Sequence, residues 1–420
     1  SACLVGSEMC IRDSSYRMNN INSAFLETKA NNRLNALRLL FANESLSRTE
    51  IASFLGISTA AVTSIVNEFL ESGLIIQCEE SVDSPNKKAG RKQSPLKINY
   101  DWKYIVCFDI HPASVNIAIT NLHGKLIVEE PFTFSSNWNK KEFCSELAKE
   151  CIKILWNHSI HLNQILGAGV SVIGPVNHLE GIALHPYRVF EGPVPFKELL
   201  ENELPFPITV ESNVCAFLQS ELLYRTNIEN AQNILMLKWG PGVGSATAIN
   251  GHIYKGYNYQ SSEIGHNHFA KGKGAKCICG RNGCLETLIS EAAIIDHIKE
   301  LMHSENGKDI LEFSKTVGEP CSANLESYLN HPNQELREYV SKCSFDLAEV
   351  TNNAILILAP DKLVLFGDIF EHDSIVSLFT EQLVEINSTL PEQFCVKSTF
   401  RKKKKYIGST AIAVENFLLS

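Results

Sequence analysis

From residue 104 onward the chain runs twice through one order of elements, and that repetition constrains its fold more than any other feature of the sequence. Residues 104–110 (YIVCFDI) read as a buried strand, continued as a hairpin by 115–120 and 125–128 around Leu122-His123-Gly124. An amphipathic helix over 140–156, strands over 166–173 and 207–212, and a helix over 214–224 follow. The second pass opens with a strand at 234–239 and turns through Gly240-Pro241-Gly242-Val243-Gly244-Ser245. It folds back at Asn250-Gly251, a strong two-residue hairpin signal, and ends with a strand at 362–366 and a helix at 408–418. Strand, hairpin, helix and strand, given twice, predict an α/β body of two lobes with mixed sheets.

Ahead of this body lies a helical pattern. Leu34, Leu37, Leu39, Leu40 and Phe41 suggest a first helix within 32–42, and 49–55 a short second one. A third helix follows Ser58, a plausible N-cap, with Val62, Ile65, Val66, Phe69 and Leu70 on one buried face. Gly73 stands where a left-handed cap is needed, and 74–76 read as a strand. The spacing of small Ala52, turn-forming Gly56 and core-anchoring Val62 is that of a helix-turn-helix; a generic three-helix scaffold is the competing reading. A second strand at 96–99 and the basic, glycine-containing loop between the two strands would make a wing that reaches phosphates or the minor groove. A solvated linker is the duller account of that loop.

On this reading the residues offered to DNA are Arg48, Ser58, Thr59, Ala60, Thr63, Ser64 and Asn67, with Lys88, Gly90, Arg91 and Lys92 from the wing. None of the recognition-helix residues makes the bidentate Arg–guanine contact. Affinity per half-site should be modest, with dimerisation compensating.

Charge is distributed in the same sense. The net charge is −9, yet residues 15–105 hold 11 Lys and Arg against 9 Asp and Glu, so the acidity belongs to the body. A mildly basic head is compatible with nucleic acid but weak evidence for it. Hydrophobic content of 44% and charged content of 20% are those of a globular protein. No apolar run of about 18 residues suggests a membrane span. Thirteen cysteines, an odd number scattered over the chain without a persuasive secretory signal, suit a reducing cytoplasm. Residues 1–17 are expected to be a non-native or disordered leader, because the MCIRDS stretch resembles a translated sequencing adapter, and Met18 is the expected native start.

Three of the cysteines, Cys277, Cys279 and Cys284, fall within eight residues around two glycines. Thiolates joined by one imidazole are what a closed zinc site takes; three buried free thiols are the alternative. Together with Glu263-Ile264-Gly265-His266 and the following Leu285-Glu286, this motif resembles the ROK family of sugar kinases and sugar-operon repressors. The resemblance runs from about residue 31 to residue 419, and the head with Gly90-Arg91 and 96–99 is similar to the repressor branch. It implies an actin-like, ribonuclease H-like body of the ATPase type, with a structural zinc ion on His266, Cys277, Cys279 and Cys284. One residue of extra length before Cys277 keeps His268 open as the imidazole ligand. It also implies a sugar site at Ser212, Asn213, Glu263, His266 and Glu286, although Glu263 and Glu286 could instead orient zinc ligands.

The kinase chemistry is expected to be missing. Phosphoryl transfer needs a base, and the family's aspartate falls on Asn213, its asparagine on Ser212. The first phosphate loop reads Asp109-Ile110-His111-Pro112-Ala113, without glycines and with a proline that lacks a donor. The Gly240–Ser245 loop survives, more simply as a turn than as a nucleotide site, and the later glycine cluster is reduced to Phe366-Gly367-Asp368. No ATP is therefore expected. The run from Arg401 to Lys405 reads as a solvated charged turn more readily than as a DNA contact.

The expected organisation is a winged helix-turn-helix at 18–84, wing and linker at 85–103, a first kinase-like lobe at 104–222, a second lobe with the zinc motif at 223–406 and a C-terminal helix at 407–420. The expected function is a sugar-responsive transcriptional repressor that binds operator DNA as a homodimer or homotetramer. A ROK-type sugar kinase with an accessory DNA-binding domain is the alternative, and a regulator governed by a protein partner is a third class.

Overall fold

The computed structural model describes residues 28–420 apart from 79–93, 113, 136, 226–227, 229–230, 270–273, 399 and 401–403. The leader, the wing residues Lys88, Gly90, Arg91 and Lys92, and the first part of the 401–405 run lie outside the described residues. The chain divides into two compact units, one of Ser1–Trp102 with Glu415–Ser420, the other of Lys103–Val414.

The first unit carries helices α1 (28–42), α2 (Arg48–Leu55) and α3 (Thr59–Glu71), and strands β1 (Ile75–Gln77) and β2 (Leu96–Ile98). The described part of α1 already reaches four residues ahead of the apolar pattern, to residue 28. Ser47 and Glu50 close α2 reciprocally: the Glu50 N–H donates to the Ser47 hydroxyl at 3.2 Å and the Ser47 N–H to the Glu50 carboxylate at 2.7 Å. Gly56 ends α2 in the left-handed region at φ 65°, which lets the chain turn straight into α3. Leu37, Leu40, Ile51, Val62, Val66 and Phe69 form the core, and β1 pairs antiparallel with β2, Ile75 facing Ile98. Arg38 grips the chain's end. Its guanidinium donates to both Glu415 oxygens, at 3.0 and 2.6 Å, and to the Leu419 carbonyl at 3.0 Å.

The second unit holds two five-stranded sheets of one plan. Strands β3 (Tyr104–Ile110), β4 (Val115–Asn121) and β5 (Leu126–Phe132) form an antiparallel meander. Helix α4 (Lys140–Asn157) then leads to β6 (Ile165–Val172), and after the short hairpin β7 (Val176–Asn177) and β8 (Ile182–Ala183) come α5 (Phe196–Glu201), β9 (Ile208–Ser212) and α6 (Asn213–Tyr224). The sheet order is β5-β4-β3-β6-β9, with β3, β6 and β9 parallel. The second sheet repeats it. Strands β10 (Ile234–Trp239), β11 (Val243–Ile249) and β12 (His252–Ile253) are the meander, and β13 (Lys362–Phe366) and β14 (Cys395–Lys397) add parallel to β10, giving β12-β11-β10-β13-β14. The helices of this half are α7 (Glu286–Ile289), α8 (Glu291–Met302), α9 (Lys308–Val317), α10 (Leu325–Leu329), α11 (Gln334–Leu358) and α12 (Asp373–Ile386), with α13 (Ile407–Leu418) closing the chain. The fold is thus a winged helix-turn-helix plus two mixed-sheet, sugar-kinase-like lobes of α/β class. No single helix among the described residues is long and apolar enough to cross a membrane.

One buried carboxylate makes this body pH-sensitive. Glu221, on α6, is fully buried, accepts a hydrogen bond from the Ser398 hydroxyl, and has no partner for its second oxygen among the described residues. Burial pushes its pKa from 4.5 up to about 7. A carboxyl whose folded pKa is raised keeps its proton in the native state after the unfolded chain has lost it, so this group weakens the fold as pH rises from 4.5 to about 7. The full effect is on the order of 3 kcal/mol. Glu221→Gln, which mimics the neutral acid, should leave denaturant stability at pH 5 almost unchanged and raise it at pH 8. An equal change at both pH values would rule out the ionisation account.

Candidate ligand cavity and metal centre

The Glu-x-Gly-His turn is held against β11 by a contact only glycine permits. A Cβ on Gly265 would meet the Val243 carbonyl oxygen at 2.0 Å. Held there, Glu263 and His266 project on the same side, with the Glu263 carboxylate 3.7 Å from His266 Nε2. The other ring nitrogen, Nδ1, faces the thiols and lies 3.4 Å from Cys277 Sγ, while Cys279 Sγ and Cys284 Sγ are 3.6 Å apart.

The donor atoms of His266, Cys277, Cys279 and Cys284 all lie within 4.8 Å of one another. Turns with left-handed glycines bring them together, Gly280 at φ 86° between two thiols and Gly283 at φ 73° before the third. Exposed His268 is not in this donor set; its backbone bridges to Cys284 instead. Burial pushes the Cys284 thiol up to about 12, and neighbouring Cys279 and Cys277 push the same way. Burial also lowers the His266 pKa, which favours the neutral imidazole a metal requires. Three thiolates so close repel unless a cation stands among them, and S₃N is a donor set that suits zinc.

Beside this cluster opens a cavity of about 690 Å³. One wall is the segment 185–192 and contributes His185, Tyr187, Arg188 and Phe190; the other contributes Asn258, Gln260, Glu263, His266, His268 and Arg281. Burial raises the Glu263 pKa to about 7, and the Glu286 charge adds to the effect. Glu286 itself accepts the Val243 N–H at 3.0 Å. Of the five residues expected to hold a sugar, Glu263 and His266 line the cavity and Glu286 stands behind them. Ser212 and Asn213, at the start of α6, are not among its lining residues. Sequence reasoning did not single out Tyr187, Arg188, Asn258, Gln260 or Arg281 as ligand contacts. Which side of the cleft segment 185–190 lines is set by tertiary packing and not by local spacing. It also missed the buried Lys255–Glu211 ion pair, whose partners are 44 residues apart.

The two expected phosphate loops are internally engaged. His111 and Ser114 exchange backbone hydrogen bonds at 2.9 and 3.3 Å, which closes the first loop as a turn, and His111 Nε2 lies 3.0 Å from the Asp109 carboxylate. In the second, the Gly240 N–H donates to the Gly242 carbonyl at 3.2 Å and the Val243 N–H is taken by Glu286.

In the head, Ser58, Thr59, Ala60, Ser64 and Asn67 are exposed along α3, and Arg48 is half-buried at the start of α2. Two hydroxyls are already spent. Ser58 accepts the Ala61 N–H at 3.3 Å, and Thr63 donates to the Thr59 carbonyl at 2.7 Å.

Fold and site together define a DNA-binding head joined to a body of the sugar-kinase type. The chain belongs to the ROK family, whose model matches residues 105–416, and residues 30–76 match the winged helix-turn-helix DNA-binding model. It is 22% identical over 398 residues to the xylose repressor of Bacillus subtilis, covering 93% of this chain and 96% of that protein. It is 23% identical to the DNA-binding transcriptional repressor Mlc of Escherichia coli, over 70% of this chain and 71% of that one. Among solved structures, a ROK family transcriptional regulator described as a homolog of the E. coli MLC protein superposes with a TM-score of 0.74 at 18% identity, covering 93% of this chain and 98% of the other. The cysteine–histidine cluster is typical of the family's zinc site.

The purified chain is expected to hold about one zinc ion by elemental analysis, and Cys279→Ser to lose most of it. Full zinc occupancy in that variant would remove Cys279 from the donor set.

Proposed function

We propose that this protein is a DNA-binding transcriptional repressor of sugar utilisation whose kinase-like body senses a carbohydrate and performs no phosphoryl transfer. The observation that carries the reading is the pairing, in one chain, of a winged helix-turn-helix with a ROK body over nearly the full length of a xylose repressor. By resemblance to the family, Asn213 takes the place of the kinase aspartate, and an amide cannot accept the hydroxyl proton. Both loop segments spend backbone donors internally, which supports a body without ATP.

Structural zinc on His266, Cys277, Cys279 and Cys284 would supply positive charge that lets the thiolates coexist and ties the loop to the turn. His266 then links metal and cavity, Nδ1 toward the thiols and Nε2 toward Glu263. Glu263, His266 and Glu286, with Ser212 and Asn213 at the α6 start, are the proposed sugar contacts. A carboxylate can accept from vicinal hydroxyls, so analogues lacking one are rejected.

Operator DNA is read by Thr59, Ala60, Thr63, Ser64 and Asn67, with Arg48, Ser58 and the wing's Lys88, Gly90, Arg91 and Lys92 on the backbone. Two heads of a cytoplasmic homodimer, or of a homotetramer, would enter successive major grooves of a palindrome. Sugar binding need change DNA affinity by only a few kcal/mol to switch occupancy.

Gel-shift titration against the upstream region of its own gene tests this. Wild type should bind specifically, and Ser64→Ala with Asn67→Ala should weaken specific binding tenfold or more while leaving non-specific binding intact, as loss of base contacts costing about 1–3 kcal/mol implies. Turnover of ATP with any hexose, or no retention of duplex, would defeat the reading.

A further inference from the structure

Between β12 and the Glu-x-Gly-His turn runs a strap, residues 254–262, that is fastened to elements of the first lobe at two points. Near its start, Lys255 pairs with Glu211, the residue before Ser212 at the end of β9. Only 17% of the lysine side chain and 9% of the glutamate side chain are exposed. Burial opposes the ammonium, but the Glu211 carboxylate outweighs it and leaves the Lys255 pKa raised. The other Glu211 oxygen accepts the Ser212 N–H at 2.8 Å, and Cys215, in the first turn of α6, lies beside the same ammonium. Midway along the strap, the Tyr259 ring meets the ring of His178 edge-on at 5.7 Å, and His178 belongs to the turn between β7 and β8.

This fastening holds the strap under strain. Tyr259 and Ser262 are both left-handed, at φ 58° and 63°, a region that disfavours residues with a side chain. His178 Nδ1 is buried with no hydrogen-bond partner among the described residues, which further penalises the arrangement. A buried ion pair that holds a strained segment favours two discrete arrangements, pair made or pair broken, over a graded one.

The pair also brackets part of the sugar site. Ser212 and Asn213 lie between Glu211 and Cys215 in the chain. In the paired arrangement Asn213 is 5% exposed, and neither residue lines the cavity that Glu263 and His266 line. Asn258 and Gln260 of the strap belong to that cavity's wall. One set of sugar contacts is thus presented while the other is covered.

We propose that the Glu211–Lys255 pair is a latch on this strap: made, it keeps the start of α6 covered, and broken, it frees the strap and uncovers Asn213 to the carbohydrate. The latch regulates the sensing site and so rests on the reading of the body as a sugar sensor, although its own test needs no ligand.

Cys215 supplies the readout. Its thiol is half-buried beside Lys255, and burial pushes its pKa up to about 11, with Glu211 pushing the same way and Lys255 the other. The full-length, zinc-loaded protein is alkylated with N-ethylmaleimide and the rate at Cys215 is followed by peptide mass mapping. Buried Cys107 and Cys151 serve as controls for the fold. Lys255→Met and Glu211→Gln should each speed labelling of Cys215 roughly tenfold or more while the two controls stay slow. Charge effects alone would act in opposite directions, slowing the thiol when the lysine is lost and speeding it when the glutamate is lost. That opposition, or no change in either variant, would overturn the latch. Lys255→Arg should keep labelling slow, and the reversed pair, Glu211→Lys with Lys255→Glu, should restore it. Should a single variant unfold and expose the controls as well, the reversed pair decides: slow labelling supports the latch, and labelling as fast as in the single variants overturns it. No carbohydrate enters this assay, so failure of the latch leaves the sensing function standing. Failure of the sensing function would be read separately, as absence of binding in calorimetric titrations with pentoses and hexoses.

Discussion

The close approach of Gly265 to Val243 is the constraint on which the site depends. A side chain there would have to pass within 2.0 Å of a strand carbonyl, so the turn could not lie against β11 with any other residue. Because it does, one imidazole serves two neighbours. Its Nδ1 joins three thiols, its Nε2 faces Glu263, and the metal cluster and the cavity share a wall. Packing at one glycine therefore sets the geometry of both.

Around that wall the body is built twice. Each sheet places an antiparallel meander on one side and parallel strands on the other, with β3 or β10 at the centre. In open α/β sheets ligands gather beyond the carboxyl ends of the parallel strands, where loops from neighbouring strands diverge. Two of the sugar-site candidates follow that rule: Ser212 ends parallel strand β9, and Asn213 comes directly after it. The same arrangement in a kinase would present free backbone donors to a nucleotide. Here the His111 and Ser114 N–H groups donate to each other's carbonyls, and Glu286 takes the Val243 N–H of the second loop.

In the winged helix-turn-helix, the third helix carries little strong polar chemistry. Helix α3 presents small hydroxyl and amide side chains, two of whose polar atoms already stabilise the helix itself. Its orientation is secured from beneath by Val62, Ile65, Val66 and Phe69, and at one flank by Arg33, paired with Glu68 at 2.8 Å.

Much was legible from local pattern. Periodicity in α3, its Ser58 N-cap, the Asn250-Gly251 turn and the twice-given order of strands depend on neighbours within a few residues, and such interactions are written directly into the chain. The cysteine spacing was equally plain, since Cys277, Cys279 and Cys284 need only two glycine turns to converge. What the sequence left open was decided by contacts between distant segments. His266 rather than His268 supplies the imidazole of the donor set, although the backbone at 268 pairs with that of Cys284. Tyr187 and Arg188 enter the cavity wall because the 185–192 segment folds across from 258–281, a juxtaposition no spacing encodes. Local propensity fixes elements and turns; which side chains meet across a cleft depends on how whole sheets pack, and that exists only once the chain has closed on itself.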